Sequence, residues 1–289
     1  MNTNEHKQDH WDIVIEPRVR GLNLNLKEVW KYRDLFAMYV RRDIVVLYKQ
    51  TVLGPLWYVI QPVFTTIMFM FVFGGIAGIP TDGLPQPLFY MAGILCWNYF
   101  SDCLNKTSYT FLSNAHIFSK VYFPRLVVPF SGITSNLLKF FIQLALFFAI
   151  YIYYILTGTE LGVNIYALLS PVLIIMLAAM AFGIGTIISS MTTKYRDLSI
   201  LFGFAVQLWM YITPVIYPLS IMEERYKDWM WVIQLNPLTS IIEAFKYGFL
   251  GAGTFTWLSL LYSCVFTIIV FLIGSWTFNK VERSFIDVV

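Results

Sequence analysis

Three ionisable side chains, Asp102, Lys106 and Lys139, stand inside otherwise apolar stretches of this 289-residue sequence. A charge at membrane depth is costly unless it is paired, hydrated or able to reach the surface, so each is a candidate for recognition or ion-pairing chemistry. Asp102 and Lys106 are spaced i,i+4, which predicts a pair on one helical face. Lys139 stands alone, and its ammonium either snorkels to the headgroups or serves a polar path. Three such groups are too few for a proton or sodium relay. Covalent chemistry has still less to work with. His6 and His10 lie in the polar N-terminal region and His116 is isolated, which argues against a metal cluster. Cys96, Cys103 and Cys264 have apolar neighbours and no CxxC spacing, so they form neither a disulfide framework nor a metal site. The G-x-x-x-x-G-K-[ST] phosphate loop and DxD carboxylate pairs are both missing, which removes ATP binding of the usual kind and a metal-dependent sugar transferase. Gly183-Ile-Gly185 and Gly251-Ala-Gly253 read as packing and turn positions rather than nucleotide sites. The sequence therefore predicts no catalytic residue, metal or cofactor within the chain.

The elements that must position these residues are membrane helices. Only 13% of the residues are charged and 58% are hydrophobic, about half the charge of a soluble domain. The 20 basic and 17 acidic residues give a net charge of +3 with no long basic run, so nucleic acid is excluded as a partner and membrane lipid is the expected one. A span needs roughly 20 apolar residues. Long uncharged runs predict an all-α integral membrane protein with six spans, near 57–79, 88–112, 127–156, 166–191, 198–217 and 256–278. Residues 1–54 are expected to form a cytoplasmic segment without an apolar signal-peptide core, and 55–289 the six-span membrane domain. Basic residues concentrate before the first span and in alternate loops, which places both termini in the cytoplasm. In the fifth loop Arg225, Lys227 and Lys246 are offset by Glu223, Glu224, Asp228 and Glu243.

Three regions exceed what spans require. Tyr32, Leu35, Phe36, Tyr39, Val40, Ile44, Leu47 and Tyr48 recur at three- and four-residue steps, with Lys31, Arg33, Asp34, Arg41 and Arg42 opposite. That pattern predicts an amphipathic helix along the membrane interface. The cytoplasmic loop 113–126 contains Ser119, Lys120, Val121, Tyr122, Phe123, Pro124 and Arg125. Exposed aromatics beside cations fit a docking surface for another protein, and equally fit an anchor at the headgroups. The loop 218–254 is too apolar for solvent; segments 229–235 and 238–250, parted by Asn236-Pro237, predict an external helix–turn–helix dipping into the membrane, with Trp229 and Trp231 in its first arm.

Arg41-Arg-Asp-Ile-Val-Val-Leu-Tyr-Lys-Gln-Thr-Val-Leu-Gly-Pro-Leu-Trp57, Gln61-Pro62, Phe71-Val-Phe-Gly74, Lys120-Val-Tyr-Phe-Pro-Arg125, Lys194-Tyr-Arg-Asp197, Thr213-Pro-Val-Ile-Tyr-Pro218 and Asn236-Pro237 follow one another in the order found in type-2 ABC exporter permeases. More narrowly, with Ile15-Glu-Pro17 and Trp30-Lys-Tyr-Arg-Asp-Leu35, the set resembles the branch that exports lipid-linked polysaccharides such as O-antigen, capsule or teichoic acid. Lys139 departs from it, standing where the family favours an acidic residue. The resemblance implies a homodimer in the bacterial cytoplasmic (inner) membrane, carrying two copies of a separate ABC nucleotide-binding subunit that binds the ATP and Mg. It also implies that the interface helix flanks that ATPase, that 119–125 is the coupling segment, and that the hairpin 218–254 is the external gate. Trp97, Tyr99, Tyr109, Gln207, Trp209 and Tyr211, with Lys139, are then candidates for the substrate path. Aromatic faces stack on sugar rings, although a helical stripe of aromatics is more often core. An exporter of small lipids or drugs is the competing reading within the same family.

Overall fold

The computed structural model describes residues 26–49, 52–118, 120–121, 123–159, 161–225 and 227–288, which are helical with no strand among them. Ser119 and Tyr122 lie outside the described residues, as do the side chains of Tyr48, Glu223, Glu224 and Arg225. The first helices are α1 (Leu26–Lys31) and α2 (Arg33–Tyr48), broken at Tyr32. Tyr32, Leu35 and Phe36 turn inward and Tyr39 is buried, whereas Arg33 and Arg41 stay exposed, as the three-four periodicity demands. The inward side of α2 rests on α6 (Val127–Leu156).

Between them, a 3-10 turn at Gly54–Leu56 opens α3 (Trp57–Phe69), which continues as a π-helical turn over Met70–Ile76. Pro62 lies inside α3 and deprives it of one backbone donor. α4 (Gln86–Ser108) is the central helix, buried along most of its length and touching α3, α6, α7 (Ser170–Thr192), α8 (Leu198–Ile212) and α11 (Pro237–Leu250). α5 (Thr110–Phe118) follows α4 after a break at Tyr109. The remaining helices are α9 (Leu219–Arg225), α10 (Met230–Leu235) and α12 (Trp257–Val288).

Four helical stretches are long and apolar enough to cross a membrane: Gly54–Ile76, Val127–Leu156, Ile165–Thr192 and Trp257–Glu282. The expected spans 88–112 and 198–217 do not reach that standard. In the first, α4 stops at Ser108, and its polar residues are met by protein partners instead of lipid. In the second, Thr213 turns extended ahead of Pro214, ending α8 early because a residue before proline avoids helix. At the other end the helix expected over 256–278 runs on to Val288, so the C-terminal tail extends the last span. Packing at Gly183 and Gly185 matches their spacing. A side chain at Gly183 would meet the Val270 carbonyl of α12 at 2.6 Å, and one at Gly185 would meet Thr107 of α4 at the same distance. Two glycines thus let α7 approach its neighbours on both sides.

Candidate functional site

The intramembrane charges are paired, but not as their spacing predicts. Asp102 meets Lys139 of α6 at 2.7 Å, and the Lys139 ammonium also lies 5.5 Å from the centre of the Tyr58 ring on α3. Lys106 meets Asp43 of α2 at 3.1 Å, where Arg42 also contacts that carboxylate at 2.9 Å. The i,i+4 neighbours Asp102 and Lys106 therefore reach out to different helices. Tertiary partners at shorter range outcompete a pairing on one helix face. Together the two pairs tie α2, α4 and α6, with α3 in contact, around a polar cavity of about 610 Å³ lined by Arg42, Asp43, Asp102, Asn105, Lys106 and Asn136. Lys139 is not alone: its side chain is 15% exposed beside the Asp102 carboxylate.

A second cavity, about 460 Å³, lies between α4 and α8. Trp97, Gln207 and Tyr211 line it, joined by Ser101, Asn105 and Phe204. An aromatic wall with interspersed amides can stack on an apolar face while hydrogen-bonding polar groups around it. The other candidates lie elsewhere. Tyr99 is buried on the far side of α4 against Phe140, ring centres 5.1 Å apart. Trp209 packs edge-on to Phe100 and donates its indole N–H to the Asn236 side-chain oxygen at 3.1 Å. Tyr109 lies at the α4–α5 break and donates to the Ser199 carbonyl at 3.3 Å.

The loop into α6 is folded inward. Phe123, expected at an exposed tip, is 5% exposed and lies near Tyr39 of α2 (6.2 Å between ring centres) and Phe118 (5.7 Å). Its burial follows from Pro124, which directs the chain straight into α6 beneath α2. Arg125 is 7% exposed; its guanidinium donates to the Glu282 carbonyl at 2.7 Å and its backbone N–H to the Glu282 carboxylate at 3.1 Å. Among the described residues of this segment, Lys120 and Val121 are exposed. The loop is thereby bound to both α2 and the far end of α12. Glu282 carried no signal in the sequence beyond a charge after the last apolar run.

The expected helix–turn–helix is present as α10 and α11. Asn236 caps α11 by accepting from the Leu238 N–H at 3.1 Å, and Pro237 occupies the first turn, where its missing N–H costs nothing. Trp229 and Trp231 are exposed, whereas Asn236 and Pro237 are buried. Sequence reasoning missed Glu243 and Lys246, which charge counting had assigned to a loop; their i,i+3 spacing within an apolar run was the available signal. Both are fully enclosed, with nitrogen and oxygen 3.5 Å apart. Among the described residues, no group of three His, Cys, Asp or Glu side chains could hold a metal ion.

Helices long and apolar enough to cross a membrane, packed around polar cavities, describe a multi-pass membrane protein. The chain belongs to the ABC-2 type transporter family, whose sequence profile matches residues 34–250. It is 27% identical to an O-antigen export system permease protein RfbA of Klebsiella pneumoniae over 257 residues, covering 88% of this chain and 95% of that protein. A protein of the same name from Myxococcus xanthus is 26% identical over 223 residues, covering 76% of this chain and 82% of its own.

Proposed function

We propose that this chain is the permease subunit of an ABC transporter that exports a lipid-linked polysaccharide across the bacterial cytoplasmic membrane. The observation that carries the reading is its likeness to O-antigen export permeases along nearly their entire length. In this reading α3, α4, α6, α7, α8 and α12 are six crossings. α4 falls short of a lipid-facing span because it is buried among other helices, and α8 because it ends at Ile212, ahead of Pro214. Two copies assemble through exposed apolar surfaces such as Ile200, Leu201, Phe204 and Leu208 of α8, and two ATPase subunits bind below. The ATPase binds ATP and Mg and performs the hydrolysis. The permease forms and breaks no covalent bond.

The polymer slides along aromatic faces such as Trp97 and Tyr211, whose contacts are weak and tolerant of sequence, while Gln207 exchanges hydrogen bonds with passing hydroxyls. Segment 119–125 and α2 take the stroke of the ATPase, and α10–α11 closes the external mouth. Cells lacking this chain are expected to lose the surface polymer and accumulate its lipid-linked form inside. An unchanged surface polymer would overturn the assignment. Orientation has its own test, in a background without natural cysteines. Glu5→Cys should label only from the cytoplasmic side and Glu224→Cys only from outside; labelling of both from one face would remove one of the six crossings.

A further inference from the structure

Glu243 and Lys246 are charged side chains only 2% and 1% exposed, and no step above uses them. Isolated ions so deep are strongly disfavoured unless hydrogen bonds and opposite charge replace the lost water. The replacements come from three different parts of the chain. Lys246 donates to the Pro214 carbonyl, just beyond the end of α8, at 2.6 Å. Its ammonium lies 3.9 Å from the centre of the Phe89 ring on α4. Glu243 accepts from the Thr254 N–H, at the entrance to α12, at 3.2 Å. A second tie runs parallel to the first. The Asn236 amide donates to the Thr213 hydroxyl at 2.9 Å, and its oxygen accepts from the Trp209 indole. The last turn of α8 is therefore fastened to α11 at two places, the cap of α11 and its third turn.

We propose that Lys246 and Asn236 are positioning residues that join the hairpin to α8 as one rigid body, so that the external mouth opens by displacement of α8 and not by hinging of the hairpin. This rests on the reading of the hairpin as the gate and of the α4–α8 groove as the path. Thr213 and Pro214 end α8 in a buried extended stretch, and the two ties hold that stretch to α11. With them, movement of α8 at the groove carries α11 along.

The test uses the permease reconstituted with its ATPase, without natural cysteines and with Ser101→Cys as a reporter in the groove. The probe is a membrane-impermeant maleimide applied from the external side, with and without ATP. The parent should label several-fold faster in one nucleotide state. Adding Lys246→Met should remove that ATP response, and Lys246→Arg should retain most of it. No ATP response in the parent overturns the gate reading and this inference with it. A parent response that survives Lys246→Met overturns the inference alone. Should Lys246→Met fail to insert, Thr213→Cys with Asn236→Cys decides. Oxidised to a disulfide, the pair should export at no less than half its reduced rate. Export abolished by oxidation and restored by reduction means the hairpin must swing away from α8, which overturns the proposal.

Discussion

Arg125→Glu is expected to reduce polymer export at least tenfold while leaving the permease inserted. The guanidinium donates to the Glu282 carbonyl at 2.7 Å and lies 5.4 Å from the centre of the Phe118 ring, almost wholly shielded from water. Reversing its charge sets a carboxylate against a carbonyl and against the Glu282 carboxylate. Breaking a buried, hydrogen-bonded charge of this kind costs roughly 3–5 kcal/mol, more than enough to free a short loop. The loop then loses its hold on α12, and Phe123 its place beside Tyr39. Hydrolysis should continue or rise while export falls, or the ATPase should dissociate. Arg125→Lys should recover only part of the function, because an ammonium lacks the planar fork of the guanidinium. Co-purification and export measured together decide; wild-type values in both would remove this residue from the mechanism.

Asp43→Asn and Lys106→Met are each expected to lower export three- to tenfold, and the double variant should be no worse than the poorer single one. Asp43 is nearly buried and holds Lys106 of α4 at 3.1 Å, whereas Lys106 is about half exposed, at 45%. Solvent screening therefore limits the coupling to about 1 kcal/mol. The functional effect is larger than the stability effect because this bond links α2 to α4, the helix that lines the groove. Effects that simply add in the double variant would mean that Asp43 and Lys106 act separately.

Much of this architecture was legible in the sequence where local chemistry decides it. The third span, expected over 127–156, is the observed α6, because a long apolar run with one charge leaves few alternatives. The break between α10 and α11 follows from Asn236-Pro237, since an Asn cap and a Pro in the first turn are local devices. The two faces of α2, Tyr32, Leu35, Phe36 and Tyr39 inward and Arg33 and Arg41 outward, follow from their periodicity. What escaped depends on partners distant in the chain. Lys106 and Asp102 were paired with each other because Asp43 and Lys139 cannot be placed beside them without the fold. Phe123 was placed outside because nothing in a loop sequence announces Tyr39 above it. α12 was ended at its first charges, although a helix continues freely once it leaves the hydrocarbon. Glu243 and Lys246 were counted as loop charges, whereas both belong to a buried helix and satisfy each other. Of the aromatic candidates, Trp97 and Tyr211 reach the groove with Gln207, and Tyr99 turns into the core.

The central claim is that this chain conducts a polymer and a separate ATPase drives it. The direct measurement is made in proteoliposomes containing the chain, with and without a partner P-loop ATPase subunit, supplied with lipid-linked polysaccharide on the ATPase side. The account predicts no ATP turnover above background by the chain alone, and polymer reaching the opposite side only when permease, ATPase and ATP are all present. ATP turnover by the chain in the absence of any ATPase subunit, or polymer crossing without ATP, would contradict it.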